Sequence, residues 1–130
     1  MTPVIAFDFD NTLTVERHGI PVGWNEQALK LLWDHAARGH KVIIVTARFG
    51  KRWDRQWSQR GRKKLGEIPL VYATIKEFNL PVRAVYFTNG EPKGPLLKKL
   101  GVSLLYDDNK AQQASAQRHG IQVIAPAVPR

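Results

Sequence analysis

Gly39, Gly101 and Gly120 each stand just after a helical pattern and just before a short apolar run. Glycine accepts the left-handed backbone that ends a helix without a Cβ penalty. Three helix–glycine–strand joints in one chain mean that helices and strands alternate, which leads to a parallel sheet with right-handed crossovers. Five apolar runs supply the strands: VIAF at 4–7, KVIIVT at 41–46, RAVYFT at 83–88, VSLLY at 102–106 and IQVIA at 121–125. Their continuous apolar character suits strands covered on both faces. Ala28, Leu31, Leu32 and His35 mark one face of a helix over about 25–38. Leu96, Leu97 and Leu100 mark a second, and Ala111, Ala114 and Arg118 a weaker third. Residues 51–64 read as a basic helix or loop, and a further helix starts near Pro69 and ends by Asn79. The tail APAVPR reads as extended and poorly ordered.

With 130 residues the chain is expected to form a single domain, 1–130, large enough to bury a core without staples. Cysteine is absent, which excludes disulfides, thiolate metal sites and cysteine nucleophiles. No apolar run approaches the ~18 residues of a membrane span, so no membrane partner is expected. The opening residues, MTPVIAFDFD, turn acidic too early for a signal peptide, and a cytoplasmic location is expected.

Charge is the unusual feature. Lys and Arg number 20 against 11 Asp and Glu, a net +9. Residues 48–64, RFGKRWDRQWSQRGRKK, hold eight basic residues and one acid, so this segment alone carries +7. Such a patch suits a polyanionic partner: a substrate phosphate, a nucleic acid or an acidic surface. Trp53 and Trp57 are four apart and face together if the segment is helical. They either anchor it to the core or stack bases and sugars among the Arg and Lys side chains. Trp24 and Trp33 read as packing residues. The four histidines, His18, His35, His40 and His119, lack metal-ligand spacing and read as surface or packing residues.

Four of the acids occur as two tight pairs at strand ends: Asp8 and Asp10 in FDFDNTLT, and Asp107 and Asp108 in LLYDDN. In an open parallel sheet, ligands bind beyond the carboxyl ends of the strands. Asp8 and Asp10 face the same way if the chain there is extended. Packed carboxylates raise each other's pKa unless a metal or a proton intervenes, and an oxygen-only ligand set suits Mg²⁺. A calcium loop of the EF-hand type would need Gly where Leu13 stands and Glu where Gly19 stands. Thr46 ends the second strand, and its hydroxyl and the backbone N–H groups after it suit a phosphate oxygen. Lys93, at the start of a helix pattern, offers an ammonium to balance the acids. Together these groups form a site suited to phosphoryl transfer.

DFDNTLT resembles the DxDx[TV] signature of the haloacid dehalogenase (HAD)-like phosphohydrolase superfamily. IIVTAR is similar to its second motif, Lys93 to its third and YDDN to its fourth, in the family's order, over about residues 4–109. The resemblance implies an α/β, Rossmann-like three-layer sandwich with a five-stranded parallel sheet in the order 3-2-1-4-5 and helices on both faces. It implies an Mg²⁺-dependent phosphomonoesterase acting through an aspartyl-phosphate on Asp8. Asp10 would protonate the leaving oxygen, then deprotonate water, with its backbone carbonyl on the metal. Thr46 would hold the phosphoryl group and Lys93 would steady the intermediate. Asp107 would ligate Mg²⁺ directly, with Asp108 ligating or acting through water. Asn11, Ala47, Arg48, Arg52 and Arg55 are the expected substrate contacts. About 30 residues separate the first two motifs and read as one helix, so the cap that sets substrate choice in this family is expected to be minimal or missing. Such members act on large substrates or complete their sites by homo-oligomerising.

VTAR followed by a basic stretch is similar to the phosphatase domains of polynucleotide kinase/phosphatases, and also to small stand-alone phosphatases of sugar phosphates and nucleotides. No kinase P-loop is present. The expected substrate is a nucleotide or a nucleic-acid 3′-phosphate end, with nucleic acid meeting residues 48–64. A sugar-phosphate or other small-metabolite phosphatase and a nucleic-acid-binding module on an inactive scaffold are the alternatives.

Overall fold

A computed structural model describes residues 2–18, 20–48 and 67–126, with residues 20, 21 and 67–70 described by their backbone alone. The described elements run β1 (Val4–Phe7), β2 (Thr14–Arg17), β3 (Ile20–Trp24), α1 (Glu26–Ala37), β4 (Lys41–Thr46), α2 (Glu67–Glu77), β5 (Ala84–Phe87), α3 (Gly94–Lys99), β6 (Val102–Tyr106), α4 (Lys110–Arg118) and β7 (Gln122–Ile124). Arg52, Arg55, Trp53, Trp57 and the rest of the expected basic helix or loop lie outside the described residues, as do the last four residues of the tail.

Five strands form one parallel sheet in the order β5-β4-β1-β6-β7. Period-two alternation splits the sheet's side chains between two cores. Ile5, Phe7, Val42 and Ile44 share one with Leu32 of α1 and Val71 of α2. Ala6, Ile43, Val45 and Leu105 share the other with Leu97 of α3 and Ala116 of α4. The result is a three-layer, Rossmann-like α/β fold with helices on both faces. Each fully buried large side chain, Phe7 or Ile44 for example, contributes about 1.5–3 kcal/mol by leaving water.

The expected strand order, 3-2-1-4-5, counted five strands. The chain has seven described strands and the order reads 5-4-1-6-7, because β2 and β3 form a separate antiparallel hairpin. That hairpin also corrects the reading of the stretch between the first two motifs as a single helix. Leu13 and Val15 are buried at its base, and the Asn25 amide donates to the Leu13 carbonyl at 2.8 Å, closing it.

Local signals set the helix ends. Asn25 Oδ1 accepts the Ala28 N–H at 3.2 Å and starts α1. Gly39, at φ 84°, follows its end, and Gly101 and Gly120 are also left-handed, at 72° and 77°. Asn109 caps α4 in the same way through the Gln112 N–H at 3.0 Å. The buried face of α4 differs from expectation: Ser115 and Ala116 are inside, while Ala111 and Arg118 are exposed. Small side chains at 115 and 116 let α4 lie against α3. Trp33 is also a correction, being 43% exposed, whereas Trp24 packs edge-on against Phe78. Of the histidines, His35 is buried against Tyr106, whose hydroxyl is 2.8 Å from Nε2.

Gly94 of α3 lies directly against Ser115 of α4, its amide donating to Ser115 Oγ at 3.0 Å. A Cβ there would run into the Ser115 carbonyl and stand 2.5 Å from His119 Nδ1 and 2.6 Å from Ser115 Oγ. Gly94→Ala is therefore expected to destabilise the fold by about 1–3 kcal/mol, read as a lower denaturant midpoint. A variant with an unchanged midpoint would mean that the two helices separate at no cost.

Candidate active site

The carboxyl ends of β1, β4 and β6 and the residue before α3 converge on one cavity of about 320 Å³. Such a position is the usual ligand site of an open parallel sheet. Asp8, the residue after β1, is held by its amide donating to the Tyr106 carbonyl at 2.8 Å. Asp107 follows β6 and is wholly buried. Lys93 stands just before α3, and its backbone N–H donates to Gln112 Oε1 at 2.9 Å.

The Lys93 side chain is 1% exposed, and its ammonium bridges two acids. Nζ donates to Asp8 Oδ1 at 2.7 Å and to Asp107 Oδ2 at 2.8 Å. Burial alone would lower the Lys93 pKa. The charges of Asp8 and Asp107 more than offset that, and the net direction is upward, so the ammonium stays protonated. Burial pushes Asp8 up from 3.8 to about 7, opposed by Lys93 and assisted by the negative charges of Asp107 and Asp10. Burial also raises Asp108, against the hydrogen bond it accepts from Asn11.

Asp8, Asp107 and Asp108 each offer an oxygen within 4.8 Å of the others. Opposite ligands around Mg²⁺ stand about 4.2 Å apart, twice the bond length, so small side-chain shifts bring these oxygens to a shared ion. The donors are all hard oxygens, and the Lys93 ammonium pairs with two of the three carboxylates, Asp8 and Asp107. This oxygen-only cluster could hold a hard metal ion.

The Asp10 carboxylate lies apart from that cluster. Arg48 grips it with both arms of its guanidinium, Nε to Oδ2 at 2.8 Å and Nη2 to Oδ1 at 2.7 Å. Thr46 is fully buried at the end of β4, and its Oγ1 accepts the Arg48 N–H at 3.2 Å. Ala47 lines the cavity and Thr46 does not. Asn11 lines it too, but both ends of its amide are bonded within the chain. No protein-family model matches this sequence, and no curated protein matches it.

Thr12, Glu16, Asn109 and Gln112 are at the site and escaped the sequence reading. Thr12 is fully buried, with Oγ1 3.2 Å from Asp8 Oδ2 and 3.4 Å from Asp108 Oδ1. It stood in the DFDNTLT stretch and needed only a reading of which way its hydroxyl points. Glu16 lines the cavity from β2, and burial, then the charge of Asp10, raises its pKa. Its signal was the hairpin, which the helix reading of this stretch concealed.

Proposed function

We propose that this protein is a cation-dependent phosphomonoesterase of the HAD-like type, working through an aspartyl-phosphate on Asp8. Lys93 carries this reading. Its buried ammonium joins the acid after β1 to the acid after β6, next to a cavity with room for a phosphoryl group. Asp8, Asp107 and Asp108 would hold an Mg²⁺ ion, which when bound neutralises phosphate charge and lets an anionic nucleophile approach an anionic ester.

In the first step an oxygen of Asp8 attacks phosphorus and the ester P–O bond breaks. The leaving oxygen takes a proton from Asp10. In the second step water attacks the same phosphorus, Asp10 takes a water proton, and the bond between Asp8 and phosphorus breaks to free phosphate. Lys93 balances the Asp8 carboxylate before attack and the phosphoryl oxygens after it. Arg48 pairs with both oxygens of Asp10. A substrate oxyanion competes for the same guanidinium, which frees the Asp10 carboxyl to turn to the leaving oxygen.

The favoured substrate class is a nucleotide or a nucleic-acid 3′-phosphate, supported by the +7 charge of residues 48–64, which begin at Arg48. The test is phosphate release from an oligonucleotide with a 3′-phosphate, beside a small aryl phosphate. Release is expected with Mg²⁺ and not with chelator, to disappear in Asp8→Asn, and to fall steeply with salt for the oligonucleotide alone. Release that persists in Asp8→Asn would rule out the covalent route. Equal salt dependence for both substrates would rule out the polyanionic one.

A further inference from the structure

We propose that Asn11 is a positioning residue that fixes Asp108 as a cation ligand and couples the β2–β3 hairpin to the cation site. This rests on the reading of Asp8, Asp107 and Asp108 as that site. The backbone of Asn11 is left-handed, with φ 56°. Glycine meets no strain there, and a side chain is tolerated only at some cost. The side chain present is bonded at both ends. Nδ2 donates to Asp108 Oδ2 at 2.6 Å, and Oδ1 accepts the Glu16 N–H at 3.1 Å.

Each partner needs what Asn11 supplies. The hairpin register shifts between Val15 and Glu16, which interrupts the regular ladder there. At this irregularity the Glu16 amide turns to the Asn11 side chain. Asp108 neighbours Asp107 in sequence and is only half-buried, so repulsion and solvent both favour its swinging outward. Asn11 opposes this at Oδ2, and Thr12, from the same turn, approaches Oδ1 at 3.4 Å. A carboxylate oxygen has about two lone-pair directions. The Asn11 amide on Oδ2 therefore orients the group and leaves directions free for a cation, with the single Thr12 hydroxyl hydrogen shared between Asp8 and Asp108. Any ion gripped by Asp108 then stiffens Asn11 and, through it, the Glu16 amide; by linkage, an ordered hairpin tightens the ion.

The test uses Mn²⁺ as the probe, with free ion followed by electron paramagnetic resonance, on the full chain and on Asn11→Gly. Glycine keeps the left-handed backbone and deletes both hydrogen bonds. Mn²⁺ affinity is expected to fall roughly 10–100-fold, as for the loss of other partners that orient metal ligands, with an unchanged melting temperature in cation-free buffer. Mg²⁺ is expected to slow hydrogen exchange of the Glu16 amide in the natural chain and to leave it unaltered in Asn11→Gly. Mn²⁺ binding within twofold of the natural chain overturns the proposal. So does weaker binding accompanied by a comparable loss of cation-free stability, which would make Asn11 a residue of the fold alone. A natural chain that binds no Mn²⁺ removes the cation site itself, and the clamp with it.

Discussion

Lys93→Met is expected to cost about 3–5 kcal/mol of stability at pH 8 in cation-free buffer, the usual consequence of breaking a buried ion pair from one side. Methionine matches the length of the lysine stem, so little of this loss comes from packing. Asp8 and Asp107, 7% and 0% exposed, would be left facing each other with no cation between them. Two relief routes distinguish this cause from general misfolding. Lowering the pH should recover stability as Asp8 takes a proton, and added Mg²⁺ should raise the melting temperature more in the variant than in the natural chain. Denaturant titrations at pH 6 and pH 8, with and without Mg²⁺, measure both. A variant as stable as the natural chain at pH 8 would show that the ammonium bridge contributes nothing to the fold. Phosphate release should be lost in the variant under every condition.

Asp8→Asn should separate stability from activity in the opposite direction. Asp8 is held at about 7 in the folded chain against an ordinary 3.8. Between those values the folded chain keeps a proton that the unfolded chain has released. Stability therefore falls as pH rises through this window, and the full penalty applies above 7. At about 1.4 kcal/mol per pH unit the penalty is on the order of 4 kcal/mol. Asparagine has no charge to bury, and its side-chain oxygen still accepts a hydrogen bond from Lys93. The variant should thus lose phosphate release while gaining about 1–2 kcal/mol at pH 8 without cation, several degrees in melting temperature. Its stability should also vary less between pH 4 and pH 7. A melting temperature at pH 8 below that of the natural chain would mean that ionised Asp8 supports the fold, and that its contact with Lys93 outweighs burial.

The two variants separate a buried carboxylate whose charge costs the fold stability from the ammonium that offsets part of that cost. A cluster of three carboxylates with one ammonium paired to two of them is electrostatically unfinished. A bound cation would stabilise it by mass action, so cation-free and cation-loaded melting temperatures should differ.

Much of this was legible in residue order because it depends on local chemistry. The alternation of helices and strands followed from apolar runs and from Gly39, Gly101 and Gly120, since a left-handed residue is a requirement of one position and its neighbours. Asp8, Asp107 and Lys93 could be placed at one sheet edge because each immediately follows a strand or precedes a helix, and parallel strands all end on the same side. What no local pattern could supply was which side chains meet there. Asn11 and Asp108 are 97 residues apart, and Lys93 and Asp8 are 85 apart. Their contacts depend on strand order and register. Only tertiary structure could decide that Asp10 turns to Arg48 while Asp8 turns to Lys93, although the two acids are two residues apart. The hairpin β2–β3 escaped for a related reason: four- and five-residue strands are too short for periodicity to distinguish from turn or helix, and burial of Leu13 and Val15 against the rest of the fold selects them. The sequence by itself determined the alternating architecture and which charges reach the sheet edge. Packing of remote segments decided how those charges pair, because a pairing is a property of distance in space and residue order constrains it only through the fold.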